Sequence, residues 1–163
     1  GYGLTACHAK CSDPLWDDSF DYICCVKQTF FVTVLLQEDF YLMDVNVFCK
    51  ISNGIQYLIA ESTVLRFSLK EGLKDQYHEL INPGKIPVGY TYEAKLGSKD
   101  IGLELPDERQ KKSNYITILA NVMEYLKKPN TNRRLPPLYT LPDKVIPITN
   151  FIQQMCSQAC KCQ

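Results

Sequence analysis

The side chains able to carry chemistry are few in kind. The two histidines are His8 and His78, and neither stands with a nucleophile and an orienting carboxylate at a spacing that builds a catalytic triad. His78 lies in Gln76-Tyr77-His78-Glu79, a polar run that reads as solvated surface. Glu104, Asp107 and Glu108 fall in a charged stretch, whereas a general acid needs a partly buried cleft. No glycine-rich turn opens a helix directly after a strand, so a phosphate cradle is not expected. These observations argue against an enzyme, and no cofactor is implied.

Thiols are the remaining reactive class. Cys7, Cys11, Cys24, Cys25, Cys49, Cys156, Cys160 and Cys162 make eight cysteines in 163 residues, more than reducing compartments usually hold. Cys7-His8-Ala9-Lys10-Cys11 and Cys160-Lys161-Cys162 contain soft ligands that suit zinc. Paired C-x2-C knuckles are missing, so disulfides in a secreted, extracellular protein are expected and no metal is. The 106 residues between Cys49 and Cys156 lack cysteine, so bridges either tie the two ends together or stay local to them. A clasp across a loop of that size contributes about 4–5 kcal/mol in the chain-entropy model.

Charge excludes and suggests. The 18 basic and 18 acidic residues cancel, which removes the global basic field of most nucleic-acid binders, so no nucleic acid is expected. Residues 1–49 hold two lysines against seven acids, a net of −5 that leaves +5 on the rest. The sharpest feature is residues 109–134, where Arg109, Lys111, Lys112, Lys127, Lys128, Arg133 and Arg134 oppose Glu124 alone, a local +6. This patch would bind a polyanion such as a glycosaminoglycan, or an acidic partner protein. A solvated surface is the plainer alternative.

The elements that must position these groups follow from periodicity. A length of 163 residues and a 45% hydrophobic content suit one globular domain. The longest apolar run, residues 30–36, is far short of the ~20 residues that a membrane span needs. No secretory leader opens the chain, so any such leader is expected to have been removed. Residues 22–36 read as a long strand, and Tyr41, Met43, Val45, Val47 and Cys49 read as its return partner in a hairpin. Ser52-Asn53-Gly54 marks a turn, residues 56–69 a third strand, and Val88, Tyr90 and Tyr92 a shorter one. Residues 97–113 read as surface loop, and 115–125 as strand because Ile116, Thr117 and Ile118 cluster early. Five prolines predict an extended excursion over 126–147. Ile148, Phe151, Ile152, Met155 and Ala159 follow helical spacing, giving a C-terminal helix within 148–163.

The fold class expected is therefore mostly β, an antiparallel barrel over residues 22–125 with an N-terminal segment at 1–21. Adjacent Cys24 and Cys25 on a strand face opposite ways and need different partners. A bulge in the first strand would bring Cys25 to Cys49, leaving Cys24 for Cys156.

The order of these elements resembles the netrin-like module, most closely that at the C-terminal end of complement components three, four and five. The stretches that carry the likeness are Cys11 followed by Phe20-Asp21-Tyr22, the hairpin Thr33 to Lys50, Ser52-Asn53-Gly54, Val122-Met123-Glu124-Tyr125, and Phe151-x3-Met155-x4-Cys160. Residues 59–67 are also similar to the third strand of tissue inhibitors of metalloproteinases. The resemblance implies a five-stranded barrel of the oligonucleotide/oligosaccharide-binding type, termini joined by a Cys11–Cys160 bridge, and a secreted, non-enzymatic module that recognises another protein. Cys7 with Cys162 is a companion pairing among the 105 connectivities that eight cysteines permit. Inhibition of metalloproteases and binding of polyanions or oligosaccharides are the alternative functions.

Overall fold

The computed structural model describes residues 5–6, 32–51, 56–107, 109–127 and 134–161. Its framework is an open sheet of five strands in the order β1-β5-β2-β3-β4. The strands are β1 (Thr5–Ala6), β2 (Phe40–Ile51), β3 (Gln56–Ser68), β4 (Gly72–Leu80) and β5 (Leu138–Thr140). Among the described residues four α-helices accompany them: α1 (Val32–Gln37), α2 (Thr91–Ile101), α3 (Tyr115–Lys127) and α4 (Val145–Cys160).

The alternation read in residues 41–49 holds as far as Val47 and is broken before Cys49. Tyr41, Met43 and Val45 are buried while Asp44 between them is exposed, the pattern of a strand with one packed face. β2 pairs antiparallel with β3, and β3 with β4. The register between β2 and β3 shifts at Asn46/Val47 and at Val47/Cys49. These bulges reverse which side chains face which layer, so Val47 packs on the larger core whereas Phe48 and Cys49 join the smaller.

The predicted barrel does not form. β5 pairs with β2 in parallel and with the two-residue β1 antiparallel, so the sheet is mixed and β4 ends it as an edge. The segment expected to close the barrel, residues 115–125, is the helix α3 instead. Asn114 Oδ1 accepts the backbone N–H groups of Ile116 and Thr117 at 3.0 and 3.4 Å, capping its start. Tyr115, Ile118, Val122 and Leu126 then form one buried stripe, which outweighs the strand preference of three β-branched residues. Residues 32–37 are helical rather than strand, and residues 22–31 lie outside the described residues. The strand expected at 88–92 does not form, α2 takes the first part of the loop expected at 97–113 while the described residues from 103 to 113 are irregular, and residues 72–80, assigned no element from the sequence, form β4. The proline excursion contains β5 and a 3₁₀ turn at Pro142–Lys144, and the C-terminal helix starts at Val145. Pro147 is buried in its first turn, where a missing N–H costs nothing.

α3 and α4 cover one sheet face. Phe151 of α4 is fully buried and meets Tyr115 of α3 edge to face, ring centroids 5.7 Å apart. α2 covers part of the other face at very close range, because a Cβ on Gly97 would stand 1.8 Å from the Phe48 carbonyl oxygen. Gly102 ends α2 with φ of 70° and donates to Lys99 O, the left-handed stop that glycine adopts without a Cβ penalty. No helix among the described residues is long and apolar enough to cross a membrane.

The disulfide framework is corrected too. Cys49 and Cys160 are free thiols, so neither the Cys25–Cys49 bridge nor the Cys11–Cys160 clasp is made. Cys49 packs with Phe48, Leu58, Ala60 and Ala94. Burial, and then the charge of Glu93, push its thiol up, which makes it a small apolar filler and a poor nucleophile. Cys156 is buried on the core side of α4. Cys7, Cys11, Cys24, Cys25 and Cys162 lie outside the described residues.

Candidate functional site

The seven cations singled out by sequence do not form one patch. Arg109, Lys111 and Lys112 lie exposed in the loop before α3, Lys127 lies at the far end of that helix, and Arg134 is exposed beyond it. Twelve residue steps separate the ends of α3, about 18 Å at helical rise. Lys128 and Arg133 lie outside the described residues.

The loop cations are held in place by Asn82, just beyond β4. Asn82 donates its backbone N–H to Ser113 Oγ at 2.9 Å and accepts the Ser113 N–H on its own carbonyl at 2.9 Å. Its side-chain amide reaches the carbonyl of Lys111 at 3.3 Å. The stem of Lys112 lies against Gly84, and its ammonium sits 5.2 Å from the centre of the Tyr115 ring, within cation–π range. The loop is thereby tied to the end of β4 and to the core, and its charges point from a fixed base.

The carboxylates near the sheet are engaged. At one end of β2 and β3, Asp39 accepts Lys74 at 2.8 Å and Arg66 at 3.5 Å. Arg66 also pairs with Asp75, which in turn accepts the Tyr125 hydroxyl. Burial and this bond to Asp75 push the Tyr125 hydroxyl far up. The hydroxyl of Tyr77 bonds Glu79. On the opposite face, Lys144 reaches Asp44 Oδ1 at 3.0 Å and the Val45 carbonyl at 2.7 Å. Glu61 accepts Asn46 at 2.7 Å and meets His78 Nε2 at 2.7 Å. Burial raises the Glu61 carboxyl, but the bonds from Asn46 and His78 and the charge of Lys144 outweigh it and hold the group below the usual range. His78, read as solvated, is thus bound across strands to a carboxylate 17 positions away, a pairing that no local motif announces. Glu104 and Asp107 stay outside these networks, Asp107 serving its own turn through the Arg109 N–H, and Glu108 lies outside the described residues. Among the described residues, no three His, Cys, Asp or Glu side chains stand close enough to hold a metal ion.

Fold and site together define a mixed α/β domain in which Asp39, Asp44, Glu61 and Asp75 are engaged by neighbouring side chains and exposed cations stand before α3 and at its end. Residues 50–162 match the model of the Maelstrom family, described as a piRNA pathway germ-plasm component, and the chain belongs to that family. It is 31% identical to the maelstrom homolog of Culex quinquefasciatus over 113 residues, 69% of this chain and 22% of that protein. Maelstrom 1 of Drosophila persimilis is 30% identical over 129 residues, 77% of this chain and 30% of that protein. The maelstrom homolog of Sus scrofa is 29% identical over 89 residues, 54% of this chain and 20% of that protein. The chain therefore spans about a fifth to three tenths of the length of these relatives.

Family membership corrects the remaining expectations. The likeness to netrin-like, complement and metalloprotease-inhibitor modules rested on an order of strands, and part of that order is helical here. The secreted, extracellular setting was inferred from cysteine number, yet Cys49 and Cys156 are packed as core residues, and the family is one of germ-plasm components. The expectations that no nucleic acid is involved and that the basic patch serves a glycosaminoglycan are overturned as well, since the family's pathway is an RNA pathway. The zero net charge misled because it sums over the whole chain, whereas Arg109, Lys111 and Lys112 stand exposed together within four positions.

Proposed function

We propose that this chain is a non-enzymatic, RNA-contacting module of a piRNA-pathway protein. The observation that carries the reading is the loop Arg109–Lys112, which Asn82 and Tyr115 hold rigid and whose three cations are exposed. Such cations engage phosphates without reading sequence. Lys127 at the other end of α3 extends the same kind of contact along a strand. The absence of a catalytic role is supported by the carboxylates: Asp39, Asp44, Asp75 and Glu61 are each bound to a cation or a hydrogen-bond donor.

The test is fluorescence anisotropy with an end-labelled, mixed-sequence single-stranded RNA, titrated from 50 to 200 mM KCl. The double variant Lys111→Glu, Lys112→Glu should bind more weakly and show a shallower salt dependence, by about 0.7 in log–log slope for each phosphate that the loop no longer neutralises. Equal affinity and slope for both proteins would refute the RNA contact at this loop. Cleavage of the RNA by the purified chain would refute the non-enzymatic part.

A further inference from the structure

A second concave surface shares no residue with the basic loop. It is a cleft of about 370 Å³ between the α1–β2 connection and the segment entering β5. Glu38, Asp39 and Phe40 line one side, and Pro136, Pro137 and Tyr139 the other. The rings of Phe40 and Tyr139 meet at 61° with centroids 5.9 Å apart. Phe67 lies 5.4 Å from Phe40 and supports that ring in turn.

The two carboxylates differ. The charge of Asp39 is met by Lys74 and Arg66. Glu38 is exposed and meets no cation among the described residues. Its field extends into the cleft: burial first, and Glu38 second, raise the Tyr139 hydroxyl.

We propose that this cleft receives the arginine side chain of a partner polypeptide. A cation is favoured by Glu38, which meets none among the described residues. The aromatic faces add attraction for a cation lying over them. Arginine fits better than lysine, because a guanidinium is planar, weakly hydrated and able to stack on rings while its fork meets a carboxylate. The proline and tyrosine walls suit such a plane, whereas a compact ammonium would give up more hydration to enter. A nucleobase could stack on the same rings, but it would carry its phosphates toward Glu38. This site is therefore independent of the RNA reading of the basic loop.

The experiment uses the ¹⁵N-labelled chain and the heptapeptide Gly-Ser-Gly-Arg-Gly-Ser-Gly, with lysine, citrulline or glutamate in the central position as comparisons, followed by amide chemical shifts. The arginine peptide should give saturable shifts in residues 37–41 and 138–139. Citrulline, which has the shape without the charge, should bind roughly fivefold more weakly. Glu38→Gln should weaken the arginine peptide by about threefold and leave RNA affinity unchanged. Glu38 is exposed, so this variant keeps the fold, and Tyr139→Phe, which preserves the ring, should retain most of the binding. The proposal is overturned if citrulline or lysine binds as well as arginine, if the shifts map elsewhere, or if low-millimolar peptide gives no saturable shift. A single-stranded RNA that shifts these same amides, and binds Glu38→Gln more tightly, would make the cleft an RNA surface and equally overturn it.

Discussion

The two faces of the sheet are covered by opposite means. Under α3 and α4, large side chains interlock: Met43, Ile59 and Val64 from the strands meet Ile118, Phe151 and Met155, all almost fully buried. Under α2 the contact is made by what is missing, since Ala94 is fully buried and Gly97 lets the helix backbone rest on the Phe48 carbonyl. Volume secures the first face, and nearness the second. The first should therefore fail through cavities and the second through added atoms.

The largest effect expected is on the volume-filled face. Phe151→Ala removes a fully buried ring together with its edge-to-face packing on Tyr115, at a cost of about 3–5 kcal/mol, enough to leave a domain of ordinary stability close to unfolding. Urea denaturation followed by circular dichroism would measure it, and a drop in stability below about 1 kcal/mol, the range of a volume-conserving swap, would show that α4 can collapse into the space. On the near face, Gly97→Ala sets a methyl group against backbone rather than against a flexible side chain. It should cost about 1–3 kcal/mol, although alanine is the better helix former by about 1 kcal/mol. Unchanged stability would mean that α2 lifts off freely. Coincident unfolding of the tyrosine and helical signals would show the two layers melting together.

The smallest effect concerns the polar groups between the layers. The Glu61 carboxyl is held below its ordinary value by Asn46, His78 and Lys144 against the cost of burial. Its ionised form thus stabilises the fold above the unfolded-state value of about 4.3, and the contribution is lost as pH falls through the lower folded value. Thermal melts between pH 6 and 3 should show a shallower acid decline for Glu61→Gln than for the parent chain. Identical slopes would detach Glu61 from the acid limb.

What could be read from the sequence follows the same division. β2, β3 and α4 were legible because each buries one regular stripe against bulky neighbours. α3 carried two readable signals, Asn114 as cap and the stripe through Tyr115, Ile118, Val122 and Leu126, yet its opening β-branched run pulled the reading to strand. β4 was hidden because it is an edge, with most of its residues exposed on both sides. α2 was hidden because it packs through Ala94, Gly97 and a half-buried Ile101 at its end, while Tyr92 and Leu96 are exposed, so no apolar stripe marks it. At the site, the basic residues were legible as a charge run, but their division between the two ends of α3 depended on that segment being helical. The pairing of His78 with Glu61 depended on strand register. The cysteines misled because composition reports their number and says nothing of their burial.

The parallel contact between β2 and β5 joins Tyr41 to Leu138, 97 positions apart in the chain. The β2-β3-β4 meander can form from local pairings soon after its residues leave the ribosome, while β5 and α4 are still to be made. Until they arrive, Tyr41, Met43, Val45, Ile59 and Val64 face water on a bare sheet surface beside the unpaired edge of β4. Such a surface invites association between nascent chains. The late, long-range closure makes folding slow relative to a helical bundle, and production of this domain should depend on chaperone supply and growth temperature more than its final stability would suggest.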